Sequence, residues 1–444
     1  MKATVRRAIG RSARAVLGPI DAFFLQVTCP VVDAFEPGFP EADCAYNGTC
    51  WGDHGELFFA LSTHRAEMDA RLFRFDPGSG EIAPLPPFSP AVARLAEGGV
   101  AHGKVHVPMA YVDGSIYFAT HVGFYDTSRG FPSPARREGL APYRGGLFLE
   151  YQTASRSFEI LGSAPSGEGI ISMATDFERG RLFGLTWPRG LLLQCDLEAR
   201  RAHVVRPVLG VGETVAPWAD GYQPICRCLA TNPGDGTVFW TDRQGCVWAF
   251  EPDATELARV GECDLAEAVG HRPAGSPEWG YTWRNLTWHG TERAYYGLVG
   301  TLPPVLFRFD PVRRRLAALG EVGVTPQGKV LLRHGWTTLA LALSEDGTTL
   351  HYFGLDRRRA GALRCFPEVA RLVSFHIPSA TQRIRGPFRL PDGRIVTGSE
   401  AITTRAGMIY ALAAAASPRS WLPPRGDSHQ TPQMCLVRVR ADFE

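Results

Sequence analysis

Three histidines set the chemical question. In the stretch KVHVPMAYVDGSIYFATH, residues 104–121, His106 stands near the start and His121 closes the run. Asp113-Gly114 between two apolar runs is a short-range hairpin signal. A two-residue turn folds the runs back on each other, so the two imidazoles are expected at one edge of a sheet. His64 ends a similar run, ELFFALSTH. Three neutral imidazoles completed by a carboxylate or a water could hold a divalent manganese, iron or zinc ion. Glu400 is the carboxylate that falls at the same level, and other carboxylates could orient the rings. Without a metal, a histidine pair could act as general base and acid beside arginine and tyrosine groups.

The elements that must position these groups form a repeat. A strand-like run ending in a small polar residue recurs as ELFFALSTH, SIYFATH, RLFGLTW, TVFWTDR, RAYYGLVG, TLHYFGLD and RIVTGSE. Aligning Thr63, Thr120, Thr186, Thr241, Leu298, Leu355 and Ser399 gives spacings of 57, 66, 55, 57, 57 and 44. Most copies carry a strand and a turn before them, and after them a third strand such as LFRFDP or CVWAF and a shorter fourth. Four strands per unit, repeated seven times, describe an all-β, seven-bladed β-propeller with four-stranded antiparallel blades. A lone four-stranded sheet cannot bury both apolar faces, whereas seven stacked around an axis can. Residues 23–444 are expected to be one propeller domain, closed by FLQVTCPVV (24–32) pairing with the C-terminal run MCLVRVRAD. Residues 1–22 read as a basic extension, a short amphipathic helix lying on the domain.

In such a ring the Asp-Gly-type turns mark one face, and binding groups gather on the other with the long loops. The residues following the aligned positions are His64, His121, Trp187, Asp242, Val299, Asp356 and Glu400. Glu168, Gln223 or Arg227, Arg284 and Trp336 are candidates at the equivalent edge of later units. Tyr125 and Tyr222 lie in neighbouring loops, and Trp218, Trp279, Trp283 and Trp336 offer aromatic surface for a sugar-like substrate or a partner. The plain alternative is that Asp242, Asp356 and Glu400 bond loop amides at strand ends. His54, His102, His271 and His334 read as loop residues with no evident partner.

Composition narrows the classes. A net charge of +2 over 444 residues gives no basic surface for nucleic acid. Ten cysteines without a CxxC pair, several inside apolar runs, read as buried free thiols in a reducing compartment. No apolar run approaches the length of a membrane span. The chain has no Walker loop, no dinucleotide-binding glycine fingerprint and no HExxH, so no nucleotide cofactor is expected. The interrupted apolar stretch at the N-terminus does not read as a secretory signal, which makes the expected location cytoplasmic. Membrane association is not expected, and the oligomeric state is not legible.

The segments KVHVPMAYVDGSIYFATHVG and GEGIISMATDFERGRLFGLTWPRG give the layout a resemblance to seven-bladed propeller lyases of the oligogalacturonate and ulvan lyase type. The resemblance implies abstraction of the proton α to a uronate carboxylate, in some members with a histidine-bound metal. Carried onto this chain, it makes His106 or His121 the base, Tyr125 or Tyr222 the acid, and Arg284 or Arg227 the carboxylate clamp. Trp187, Arg227, Trp283, Trp336 and Glu168 would contact the substrate, and His64, His106, His121 and Glu400 would be the metal set. With no export signal read, a small intracellular carboxylate-bearing molecule fits better than an extracellular polymer. Two other readings stay open: a metal-dependent hydrolase of the lactonase kind, and a non-catalytic propeller that binds a protein or a small ligand.

Overall fold

In a computed structural model of the chain, residues 30–88, 98–129, 131–208, 210–252, 254, 256–274, 279–301, 303–323, 341–356, 369–417 and 433–441 are described. They form seven four-stranded antiparallel sheets and one small two-stranded ribbon, Tyr125–Asp126 with Ser133–Pro134. The first blade runs through Thr49–Trp51, Leu57–Leu61, Arg71–Phe75 and Ile82–Pro84. The second holds Ala110–Val112, Ser115–Ala119, Leu147–Gln152 and Ser157–Ser163. The third, fourth, fifth and sixth open on Gly169–Asp176, Ala230–Thr231, Trp283–His289 and Ala342–Leu343. First strands of neighbouring blades touch around the axis, so these are the inner strands.

The second strands explain the packing. Leu57–Leu61 is buried at every position, as is Val238–Thr241. Both faces of such a strand need an apolar neighbour, and the adjacent blades supply it. Phe183 of the third blade meets Phe250 of the fourth at 6.5 Å, and Phe239 of the fourth meets Phe309 of the fifth at 5.2 Å. Outer strands alternate instead: Arg201–Pro207 has no buried residue because one face looks to solvent.

Two expectations are corrected at the seam. Ile395–Arg405 is not the second strand of its blade but the innermost. It contacts Thr49–Trp51 on one side and Ala342–Leu343 on the other. The second strand is Met408–Ala416, and a step of 57 from Leu355 lands on Leu412 inside it. The short interval of 44 therefore reflected a slip of one strand, since the inner strand of the seventh blade carries in Ser399 the small polar residue that marks second strands elsewhere. Closure also uses a different segment. Asp33–Phe35 pairs with Gln433–Arg440 as the outermost strand, in the register Asp33↔Arg438 and Phe35↔Leu436, while residues 24–29 of the expected closing segment lie outside the described residues. Arg438 then clamps the seam, donating to Asp33 Oδ2 at 2.8 and 3.0 Å.

The 1–22 extension and Trp336 lie outside the described residues. Among the described residues no helix is long and apolar enough to cross a membrane.

Candidate active site

The hairpin of the second blade does what its sequence predicts. Asp113 and Gly114 both take positive φ, 49° and 78°, the pair of left-handed residues a tight hairpin turn needs. At the open end Lys104 and His121 exchange backbone hydrogen bonds of 3.0 and 2.8 Å. The rings of His106 and His121 come to 5.9 Å, edge to face.

The site is built outward from Tyr125. Lys104 Nζ donates to its hydroxyl at 2.8 Å, and His121 Nε2 lies 3.1 Å from the same oxygen. An ammonium can only donate, so the Tyr125 oxygen accepts from Lys104, and His121 Nε2 completes the contacts of the hydroxyl. His106 Nδ1 donates to Ile171 O at 3.0 Å, because a carbonyl can only accept. Tyr46 completes the wall. His106 stacks on its ring at 4.3 Å, and the Lys104 ammonium sits 4.9 Å above it and 4.3 Å above Tyr125.

Electrostatics follow from what is dry and what is charged. Lys104 is 2% exposed, and burial pulls its ammonium down to about 8 against the favourable charges of Cys44, Asp43 and Glu400. Burial, then the charges of Lys104 and Arg227, holds His121 well below its ordinary value. His106 is lowered in the same way, by burial and then by His121. Both rings are therefore neutral at pH 7. Burial raises Tyr125 well above an ordinary phenol, so it keeps its proton. Solvent reaches the group through half-buried Tyr46, Tyr125 and Glu400 and through exposed His64, while His106 and His121 are 5% and 0% exposed.

Beyond Tyr125 the wall is cationic. Trp187 meets His121 at 5.7 Å and Tyr125 at 5.2 Å, and its indole donates to Glu213 Oε2 at 3.1 Å. Glu213 also takes Arg227 at 2.8 and 3.2 Å, a two-pronged buried pair. The Arg227 and Arg284 guanidiniums lie 4.5 and 4.2 Å from the Trp279 ring. Desolvation raises the Glu400 carboxyl, opposed by Arg284, Lys104 and Arg227.

Other expected residues are placed elsewhere. Glu168 is 2% exposed and spent on the scaffold, accepting from Thr186 Oγ1 at 2.5 Å and Arg189 Nε at 2.7 Å. Trp283 is a core residue, fully buried, stacked on Phe307 at 6.0 Å, with its indole donating to Cys228 O. An aromatic opening an inner strand packs between blades, which is why its sequence position misled. Tyr222 is buried beside the Arg243 guanidinium and, like Tyr125, lies close enough to Arg227 to act on its charge. Asp242 bonds loop amides, accepting from Gly245 N and Cys246 N at 2.9 Å.

The expected metal set does not gather. His106 Nδ1 is tied to Ile171, His121 Nε2 to Tyr125, and His64 Nδ1 turns to Asp43 Oδ1 at 2.9 Å. Among the described residues, the three ligand atoms that lie within 4.8 Å of one another belong to Asp43, Cys44 and His64. Lys104, Tyr46, Glu213, Asp43 and Cys44 are the groups sequence reasoning missed. A signal existed for three of them: Lys104 and His106, like Cys44 and Tyr46, are two apart, the spacing that shares a face in an extended segment.

No family model and no curated protein sequence matches the chain. Solved structures do. The β-propeller domain of Cps50 (Swd1) from Myceliophteria thermophila aligns at a TM-score of 0.51 and 10% identity, over 83% of this chain and 94% of that one. An oligogalacturonate lyase in complex with manganese aligns at 0.47 and 12%, over 92% and 96%. A Mycobacterium tuberculosis puromycin-hydrolyzing peptidase aligns at 0.49 and 10%, over 94% and 56%. At 10% identity the likeness to the Cps50 domain concerns architecture alone, and it agrees with the strand order: the chain is a seven-bladed β-propeller.

Proposed function

We propose that the chain is a lyase that removes a proton from the carbon next to a carboxylate in a small, polar, saccharide-like substrate. The observation that carries this reading is the hydrogen-bonded chain Lys104–Tyr125–His121, a buried amine of lowered basicity touching a phenol that stays protonated. A base poised near neutrality and an acid that keeps its proton are the two halves of an elimination.

The step balances with these groups. Lys104 in its amine form takes the α-proton. The C–H electron pair becomes the new double bond as the β-carbon–oxygen bond breaks, and the departing oxygen takes the phenolic proton of Tyr125. The proton on Lys104, 2.8 Å from the Tyr125 oxygen, then restores the phenol. His121 and, behind it, His106 position Tyr125, since His121 Nε2 is engaged with the Tyr125 hydroxyl and His106 Nδ1 with Ile171 O. Arg284 supplies the charge that holds the substrate carboxylate and the negative charge growing on it, while Arg227 is held in line by Glu213.

The product of such a step is a conjugated, ultraviolet-absorbing acid. A panel of small uronates and β-substituted hydroxy acids is incubated with the protein and followed by absorbance. On the substrate so found, Tyr125→Phe and Lys104→Met are each expected to lower turnover by about 10²–10⁴-fold with circular dichroism unchanged. Full turnover by both folded variants would refute the assignment.

A further inference from the structure

We propose that Asp43, Cys44 and His64 form a site for one divalent ion of the zinc class, beside Tyr125. It keeps His64 of the expected metal set but replaces His106, His121 and Glu400 by Asp43 and Cys44, and it stands whether or not the elimination reading does.

The geometry is that of donors converging on one point. Cys44 Sγ lies 3.7 Å from His64 Nδ1, and Asp43 Oδ1 lies 2.9 Å from the same nitrogen. A cysteine nucleophile with its relay would place thiol and carboxylate on opposite ring nitrogens. Here both approach Nδ1, so a catalytic triad is excluded. A tetrahedral ion with bonds of about 2.0–2.3 Å sets its ligand atoms about 3.3–3.6 Å apart. The separations on Nδ1 bracket that range and the third pair lies within 4.8 Å, so the three donors can close on one ion.

The donors also choose the ion. One thiolate, one imidazole and one carboxylate suit a borderline-soft metal, and calcium or magnesium would instead collect oxygens. Three protein ligands with an exposed His64 and half-buried neighbours leave the fourth position open, the arrangement of reactive zinc sites. The backbone prepares the site without the ion. Ser62 N donates to Cys44 O at 2.9 Å, Asp43 N donates to Ser62 O at 3.2 Å, and His64 N donates to Asp43 Oδ2 at 3.3 Å. The His64 and Tyr125 rings are 5.8 Å apart, so a substrate oxygen or water on the open position would face the tyrosine. Binding releases the thiol proton to solvent.

The test reads metal, not turnover. Protein purified without chelator is measured by elemental analysis, then stripped and titrated with cobalt(II). One equivalent of zinc per chain and a thiolate-to-cobalt charge-transfer absorption are expected. Cys44→Ser should abolish that absorption and weaken zinc by more than the roughly 10–100-fold typical of losing an outer partner. Cys50→Ser, at a neighbouring half-buried thiol, and His106→Ala should keep it. His64→Gln, at an exposed position that folding tolerates, must also lose affinity, which covers a Cys44 variant that fails to fold. No stoichiometric uptake by the parent protein, an absorption that survives Cys44→Ser, or loss in His106→Ala but not in His64→Gln would each overturn the proposal.

Discussion

Lys104 carries a pH dependence with a definite sign. Its charged form is disfavoured by burial and by Arg227, and favoured by Cys44, Asp43 and Glu400, with Tyr46 and Tyr125 packed against it. The free amine therefore grows as pH rises through about 8, and turnover on the substrate of the proposed elimination should climb over the same range. The stability effect follows the same direction. The folded value lies below the ordinary 10.5, so the folded chain binds fewer protons between about 8 and 10.5, and this group's contribution rises with pH there. A rate profile of the parent protein against Lys104→Met checks it, since the limb near 8 should be missing in the variant. At this scale the sequence revealed the histidines and little of their company. His106, His121 and Tyr125 could be placed because a hairpin turn fixes which residues meet. Lys104 was passed over because a lysine in an apolar run looks like a strand-edge charge. Asp43 and Cys44 come from a segment with no repeat signature at all.

The first strand of the third blade is as important to the site as the hairpin. At Gly169 an added methyl group would stand 2.0 Å from His121 Nδ1. His121 is fully buried against Trp187 and has no free direction in which to yield. Gly169→Ala is expected to cost about 1–3 kcal/mol, the usual penalty of overpacking, and to separate His121 from Tyr125. Urea denaturation gives the first quantity and the imidazole NMR signals the second; an unchanged ring environment would contradict the packing. Six of the seven second strands were legible because each combines aromatic or β-branched runs with a turn signal on both sides. The seventh was not, since the long inner strand Ile395–Arg405 carries in Ser399 the small polar residue that marks second strands elsewhere, and only strand partners reveal which is inside.

For the whole molecule, two buried imidazoles forecast a weakness in acid. His102, which looked like an isolated loop residue, is 4% exposed and bonded to Thr120 Oγ1 at 2.8 Å and Tyr143 at 3.1 Å. His351 is 1% exposed and bonded to Ser374 Oγ at 2.9 Å. Burial lowers both to about 4 from 6.5. Unfolded chains would bind these protons first, so stability should fall as pH drops from 6.5 towards 4. The loss is on the order of 3 kcal/mol per group. Urea midpoints measured across that range test it, and a flat profile would show the rings charging in place. His102 could not be found from the sequence, because its burial is decided by what packs over its loop, whereas His351 lies in the second strand Thr349–Asp356, where neighbouring blades cover both faces.

The seam has a consequence for biosynthesis. Asp33 and Arg438 are 405 positions apart, yet they belong to one sheet. A ribosome adding about 5–20 residues per second needs roughly 20–80 s to produce the second after the first. Through that interval the leading strand has no native mate, and six blades emerge as an unsealed arc whose terminal faces are apolar. The nascent chain thus passes its most adhesive moment just before Gln433–Arg440 emerges, when a chaperone or a pause in elongation would matter most.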